Sequence, residues 1–236
     1  MRKFSAAIYA LILPTVMLLL VVGCKKNKDS DSLVITPTVN PAPYTTMVYL
    51  VTPLDQTFNP DYYKVAKSTL LRIQQWYKDQ LGTNKTFVLN PVVVDTLKGL
   101  HNSSWYNSYN PEVDNNNSES YGYYNAKYEM KHLLGPGFDT VHYTYFVYVA
   151  ADLTDATIPR GIAAQGSSAL EGLMGRTPEY FIGGAAHSLG HALGIQEPPV
   201  QDTTILMSEG YKYWPNCVFQ QSEKDSLNAS PFFKMQ

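Results

Sequence analysis

Short apolar runs alternate with longer amphipathic stretches from about residue 45 onward. Met47–Val51 is rich in β-branched and aromatic side chains and predicts a first strand. From Pro60 to Leu81 apolar side chains recur at helical spacing, and Gly82 follows as a stop signal. Thr86–Val94 predicts a second strand, with an edge or a bend at Pro91. The first part of this region therefore predicts the order strand, helix, strand.

The next part of the chain continues this alternation. Leu100–Ser120 is rich in Asn, Ser and Tyr and has no period, so it predicts a surface loop. Tyr121–Leu134 predicts a helix, and the almost continuous aromatic and β-branched run Val141–Ala150 predicts a central strand buried on both faces. Further elements are expected at Gly161–Ala164 (strand), Phe181–Ile195 (helix) and Gln220–Leu227 (helix). The order predicts an α/β fold with a mixed, mostly parallel sheet packed on helices.

Composition excludes some classes of protein. The 236 residues are 44% hydrophobic, which is enough to form a core and argues against global disorder. Eighteen basic and twenty acidic side chains give a net charge of −2 without a basic patch, so we expect no nucleic-acid partner. Eighteen tyrosines suit half-buried strand positions and surfaces that meet ligands.

The N-terminus has the features of a secretory signal. A basic start at Met1–Lys3 precedes the uncharged stretch Phe4–Val22. Val21–Cys24 resembles a bacterial lipobox, which implies cleavage before Cys24 and acylation of that cysteine. The alternative is a transmembrane anchor, because the apolar stretch is about long enough to span a bilayer, although Pro14 interrupts it. Both interpretations place the domain outside the cytoplasm, in the cell envelope, and attach it to a membrane.

Three segments follow from this pattern. Residues 1–23 are expected to be the signal peptide. Residues 24–44 are polar and interrupted by prolines, so we expect the lipidated cysteine and a flexible tether. Residues 45–236 are expected to form the domain. Its single cysteine, Cys217, has no partner for an internal disulfide and is expected to be a buried structural thiol.

A pair of histidines is the clearest candidate for chemistry. His187 and His191 are four residues apart, so a helix places both imidazoles on one face, where two nitrogens can converge on one ion. Gly194 allows the helix to end and the chain to reverse, and Glu197 follows in position to return as a third ligand. The alternative is a pair of packed, hydrogen-bonded histidines without a metal.

The spacing of His187, His191, Gly194 and Glu197 resembles the zinc signature of the metzincin metalloproteases. The resemblance implies that zinc is bound by His187, His191 and Glu197. In that family the third ligand is usually histidine and sometimes aspartate, so glutamate is a departure. Carboxylate oxygen is nevertheless an accepted zinc donor.

Two later segments extend this resemblance. Ile205–Ser208 is similar to the Met-turn, which implies that Met207 lies under the metal as an apolar floor. Leu227–Phe233 is similar to the closing segment of bacterial members. The specific motifs cover about residues 181–233, and the rest of the domain agrees only in its layout.

Ser188 is the second departure, because the family has glutamate directly after the first histidine. That carboxylate takes a proton from the attacking water and passes it to the leaving amine. A serine hydroxyl is not basic near neutral pH and is too short to replace it. Since such proton transfer contributes roughly 10²–10⁴-fold to the rate, peptidase activity is expected to be severely impaired.

Three hypotheses remain open. The favoured one is a pseudoenzyme, a metzincin-like domain kept as a surface module that binds a peptide or protein, with or without zinc. The second is an active peptidase with a substitute base, for which Glu171, Glu179 and Glu209 are nearby acids that the sequence does not place. The third is a lipid-anchored structural or adhesion protein that uses the tyrosine-rich stretch 105–124.

Overall fold

The computed structural model describes residues 41–113, 116–154 and 160–236. The predicted signal peptide, Cys24 and most of the predicted tether lie outside these residues. Within the described ranges, no helix combines the length and apolarity required to cross a membrane.

Six strands and five α-helices make up the described chain. The strands are β1 (Thr45–Thr52), β2 (Lys85–Phe87), β3 (Asp95–Lys98), β4 (Tyr143–Val149), β5 (Ile162–Gln165) and β6 (Phe233–Met235). The helices are α1 (Pro60–Leu81), α2 (Tyr121–Leu134), α3 (Ser167–Met174), α4 (Pro178–Ala192) and α5 (Gln221–Ala229). Four strands form one parallel sheet in the order β3-β1-β4-β5. This confirms the predicted α/β class with a mostly parallel sheet.

The two central strands, β1 and β4, are buried on both faces, as their largely apolar sequences predict. Alternate side chains of β1 enter different cores, because successive strand residues point to opposite faces. Val48 and Leu50 face a core built with α1, α3, α4 and α5. Met47, Tyr49 and Val51 face a second core that contains α2. The candidate site lies on the first of these faces.

Helix α1 begins and ends where the sequence predicts. The Asn59 side chain accepts a hydrogen bond from Asp61 N at 2.9 Å, and Pro60 occupies the first helical position. Gly82 ends the helix with φ +64°, a conformation that glycine adopts without strain. The buried Tyr77 hydroxyl donates to Ala186 O at 2.8 Å, which ties α1 to the middle of α4.

The predicted strand Thr86–Val94 is wrong, because only Thr86 and Phe87 belong to a strand, β2, and β3 begins after the segment, at Asp95. β2 pairs antiparallel with β6, in which Phe87 lies opposite Phe233, and β3 joins the main sheet beside β1. Between them, Pro91 cannot donate to a ladder and Val93 adopts φ +67°. These two residues end one ladder before the next begins.

Cys217 is a buried free thiol, in agreement with the sequence. Burial raises the pKa of its thiol to about 11, which keeps the sulfur protonated near neutral pH. A structural role in the core follows.

Candidate metal centre

Helix α4 presents His187 and His191 on one face, and their Nε2 atoms lie 3.0 Å apart. The chain reverses directly after the helix at Gly194, which has φ +98°. This reversal brings Glu197 back to the histidines. Its Oε1 atom lies 3.7 Å from His187 Nε2 and 3.6 Å from His191 Nε2. The structure thus brings together the three ligands that the sequence proposes.

The spacing of these three atoms fits a tetrahedral zinc ion. Zinc bonds of about 2.1 Å at tetrahedral angles place neighbouring ligand atoms about 3.4 Å apart. The three observed separations, from 3.0 to 3.7 Å, lie on both sides of that value. Two imidazoles and one carboxylate also form a donor set that is found in zinc sites with an open fourth position.

The ring hydrogens of both histidines are directed away from the centre. His187 Nδ1 lies 2.9 Å from Leu206 O, and His191 Nδ1 lies 3.0 Å from Ile195 O. Because a carbonyl only accepts, each Nδ1 must carry the proton, and each Nε2 is left with a lone pair. Two lone pairs that face each other at 3.0 Å repel unless a cation lies between them. The arrangement therefore favours an ion or a shared proton at this point.

Burial also favours the metal-binding form of His187. Its pKa is lowered mainly by desolvation and further by His191, while the Leu206 carbonyl and the carboxylates of Glu197 and Glu209 oppose the shift. A lowered pKa keeps the ring neutral, which is the form that binds a metal. Glu197 differs from the histidines because its side chain is 65% exposed.

Met207 packs against helix α4 from the core side. It is fully buried, and a Cβ on Gly190 would lie 2.3 Å from its sulfur. The preceding residue, Leu206, supplies the carbonyl that orients His187. The segment predicted as a Met-turn thus holds one histidine and fills the space beside the helix that carries both.

Ser188 faces a neutral amide, and no acid among the described residues hydrogen-bonds to it. Its Oγ accepts a long hydrogen bond from Gln165 Nε2 at 3.4 Å, and both residues are only 9% exposed. Gln165 Oε1 is buried and has no hydrogen-bond partner among the described residues. The position that holds a carboxylate in metzincins is therefore occupied here by an uncharged pair.

The three nearby acids have different surroundings. Glu171 accepts a hydrogen bond from Tyr62, and Glu179 pairs with Arg72, so both tie α1 to the helices beside it. Glu209 instead lines the cleft that contains His187, and it pairs with Lys212. Only Glu209 among these acids lies in the cleft.

The cleft has a volume of about 860 Å³ and runs between the edge strand β5 and helix α4. Its lining also includes Arg160, Gln165 and Tyr211, which sequence reasoning did not identify. Gln165 directly follows the predicted strand Gly161–Ala164, and that placement was the one available signal. Arg160 and Tyr211 carry no local pattern.

Comparison with known proteins gives similarity only at the level of structure. No family model matches the sequence, and no curated protein matches it either. The fold is similar to that of wild-type OgpA from Akkermansia muciniphila, with a TM-score of 0.58, 17% identity, and coverage of 83% of this chain and 62% of OgpA. Catalytically inactive OgpA, in complex with the O-glycopeptide substrate glycodrosocin, gives a TM-score of 0.58, 16% identity, and coverage of 81% and 62%.

A further structural match is archaemetzincin from Methanopyrus kandleri, with a TM-score of 0.44, 14% identity, and coverage of 80% of this chain and 97% of that protein. The chain spans about 62% of the length of OgpA. At this low identity the likeness to OgpA shows the fold alone.

Proposed function

We propose that this chain is a membrane-anchored, metzincin-like protein that binds zinc and holds peptide segments in its cleft with little or no hydrolysis. One observation carries the proposal. The ligand atoms of His187, His191 and Glu197 converge within 4.8 Å, while the next residue along the helix from His187 is a serine. A site that keeps its metal donors and lacks its base can bind without efficient turnover.

The edge strand supports a peptide ligand. β5 is paired with β4 on one side only, so its other side presents backbone groups toward the cleft. An extended peptide can pair with such an edge, and its side chains then reach the neighbouring pockets. Zinc, when bound, would supply a Lewis acid that polarises a carbonyl oxygen of the ligand. OgpA binds an O-glycopeptide, so a glycosylated peptide should be tested beside a plain one.

The absent base supports weak activity. Ser188 and Gln165 are both uncharged, and neither takes up a proton near neutral pH. We expect wild type to bind zinc at one ion per chain and to cleave unstructured peptides little or not at all. Metal analysis of the purified protein and a peptidase assay measure these two quantities.

Replacing Ser188 tests this explanation directly. On α4 this position lies about 100° round from His187, so a glutamate there can reach the metal site. Ser188→Glu should gain chelator-sensitive cleavage, by a factor of about 10²–10⁴. The gain should disappear when His187→Ala is added. A zinc-loaded Ser188→Glu variant without any gain would contradict the view that only the base is missing.

The active-peptidase alternative rests on Glu209, because this acid lines the cleft and its charge acts on His187. Strong cleavage by wild type that is abolished in Glu209→Gln and retained in Glu171→Gln would establish it and overturn the pseudoenzyme proposal. The matched variant is informative because Glu171 lies outside the cleft lining.

Anchoring rests on Cys24 and its lipobox-like context, which lie outside the described residues. We expect Cys24→Ala to release the protein from the membrane fraction or to leave the signal uncut. Unchanged migration and fractionation would favour a transmembrane anchor.

A further inference from the structure

Arg160 lies in the cleft at the end of the metal-binding helix. A Cβ on Gly194 would lie 3.2 Å from Arg160 Nε and 3.3 Å from Cδ, so the arginine side chain extends across Gly194. The neighbouring backbone fixes this position. Gly161 N donates to Ala192 O at 2.7 Å, and Gly161 O accepts from Tyr145 N at 2.8 Å. The backbone beside Arg160 is thus tied to α4 and β4, and the arginine side chain lies close to the turn that carries Glu197.

The charge of Arg160 has no counterpart within the described cleft. Apart from the two histidines, the cleft is lined by three residues that carry a charge near neutral pH: Arg160, Glu197 and Glu209. Glu209 pairs with Lys212, and Glu197 faces the two histidines. Arg160 makes no ion pair or hydrogen bond with any part of the chain that the structure describes. An arginine in this situation can bind an incoming carboxylate through two parallel hydrogen bonds.

The rest of the lining leaves room for a negative ligand group. Apart from the two histidines, its other polar side chains are neutral hydroxyls and amides, among them Gln165, Gln196, Gln201 and Tyr211. At Ser188 the chain lacks the carboxylate that metzincins have, so one negative charge that would repel an anion is absent. With a divalent cation bound, the metal and Arg160 together outweigh Glu197.

We propose that the cleft selects its ligands by a carboxylate, and that Arg160 binds this group beside the metal position. The ligand class is a peptide that offers either an acidic side chain or a free C-terminal carboxylate. This inference rests on the proposed function, since it specifies the ligand of the same cleft.

The test measures binding of fluorescein-labelled peptides to the zinc-loaded protein by fluorescence anisotropy. One pair of C-terminally amidated peptides differs by a central Asp or Asn. A second pair lacks acidic side chains and ends in a carboxylate or an amide. We expect the carboxylate-bearing member of one pair to bind about three- to tenfold more tightly, because the charge-assisted contact forms at a partly exposed site. The pair that shows the preference identifies the source of the carboxylate.

Variants then assign the preference to Arg160. Arg160→Gln should remove the preference for the carboxylate-bearing peptide, while Arg160→Lys should retain part of it. Arg176→Gln is the matched control, because Arg176 is also exposed but does not line the cleft. Circular dichroism and zinc content verify that each variant is folded and loaded.

The outcomes separate this inference from the function on which it rests. Peptide binding without a preference in either pair overturns the role of the carboxylate and leaves the proposed function standing. A preference that survives in Arg160→Gln overturns the role of Arg160. Absence of zinc, or of binding by all four peptides, overturns the proposed function itself.

Discussion

Two clusters of histidine and carboxylate, around Glu129 and around Glu197, lie on opposite faces of the same sheet and differ in how far their polar atoms are partnered. On the α2 side, Glu129 is 1% exposed, and both of its carboxylate oxygens have hydrogen-bond partners. Its Oε1 accepts from Leu100 N at 2.6 Å and from the Tyr106 hydroxyl at 2.9 Å, and its Oε2 lies 2.6 Å from His101 Nδ1. The His101 ring also stacks on Trp105 at 3.6 Å.

The α4 cluster has the opposite character. Its two Nε2 atoms face each other, and Glu197 approaches both without reaching hydrogen-bond distance of either. A saturated cluster such as that of Glu129 stabilises the fold, since each buried polar group has its partner. An unsaturated cluster that opens into a cleft has capacity left for a ligand. The degree of saturation, and not the residue types, distinguishes the two.

The largest expected effect is on the saturated cluster. Glu129→Ala would leave Leu100 N, Tyr106 and His101 without their acceptor, and breaking such a buried set costs about 3–5 kcal/mol. We expect the free energy of unfolding, measured by denaturant titration, to fall by about this amount. Glu119→Ala, at an exposed site, should change it by less than about 0.5 kcal/mol. A loss below about 1 kcal/mol for Glu129→Ala would contradict the structural assignment.

The unsaturated cluster should instead respond to metal. Zinc at 100 times its dissociation constant should stabilise the wild-type protein by about 2.7 kcal/mol, and a chelator should reverse this. His187→Ala should remove the zinc-dependent increment in the melting temperature, whereas Glu129→Gln should retain it. Equal stability of wild type with zinc and with chelator would show that the two clusters do not differ as proposed.

Two adjacent glycines in α4 test how the cluster is supported. A Cβ on Gly183 would lie 1.9 Å from Tyr211 O, whereas a Cβ on Gly184 would meet nothing within 4 Å. Gly183→Ala should therefore cost about 1–3 kcal/mol of unfolding free energy and weaken zinc binding. Gly184→Ala should be neutral or stabilising by up to about 1 kcal/mol, because alanine favours the helix. Similar results for both variants would mean that the loop adjusts easily.

The smallest expected effect on the free energy of unfolding concerns Asp95, a buried carboxyl that is only partly hydrogen-bonded. It is buried, its Oδ2 accepts from Asn90 at 2.8 Å, and its Oδ1 has no hydrogen-bond partner among the described residues. Desolvation raises the pKa of Asp95, so the folded state is destabilised when this carboxyl ionises. The protonated carboxyl has no such cost below the pKa of the unfolded chain, about 3.9, and stability is lost as pH rises through the pKa of the folded state. Asp95→Asn should stabilise the protein by up to about 1 kcal/mol at neutral pH and by less in acid. A variant destabilised at neutral pH would refute this.

Local signals made part of this structure predictable. Asn59, Pro60 and Gly82 fix the ends of α1 through interactions within a few residues, and the His187–His191 spacing fixes a shared helix face. The end of β2 at Phe87 was not predictable, because β2 requires a partner, β6, that lies far along the chain. Arg160 was missed for a similar reason. Its place in the cleft depends on backbone hydrogen bonds of Gly161 to α4 and β4.

The hydrogen bond from His187 to the Leu206 carbonyl also constrains the order of assembly during synthesis. All four strands of the main sheet are complete once Gln165 has been made, but the orientation of His187 depends on a residue made about forty positions later. A domain generally folds as a unit, and one face of this sheet is covered by α4 and α5, which are made after Gln165. The histidines therefore take their final orientation only when the whole domain folds, and a metal at this site would bind a framework that is already formed.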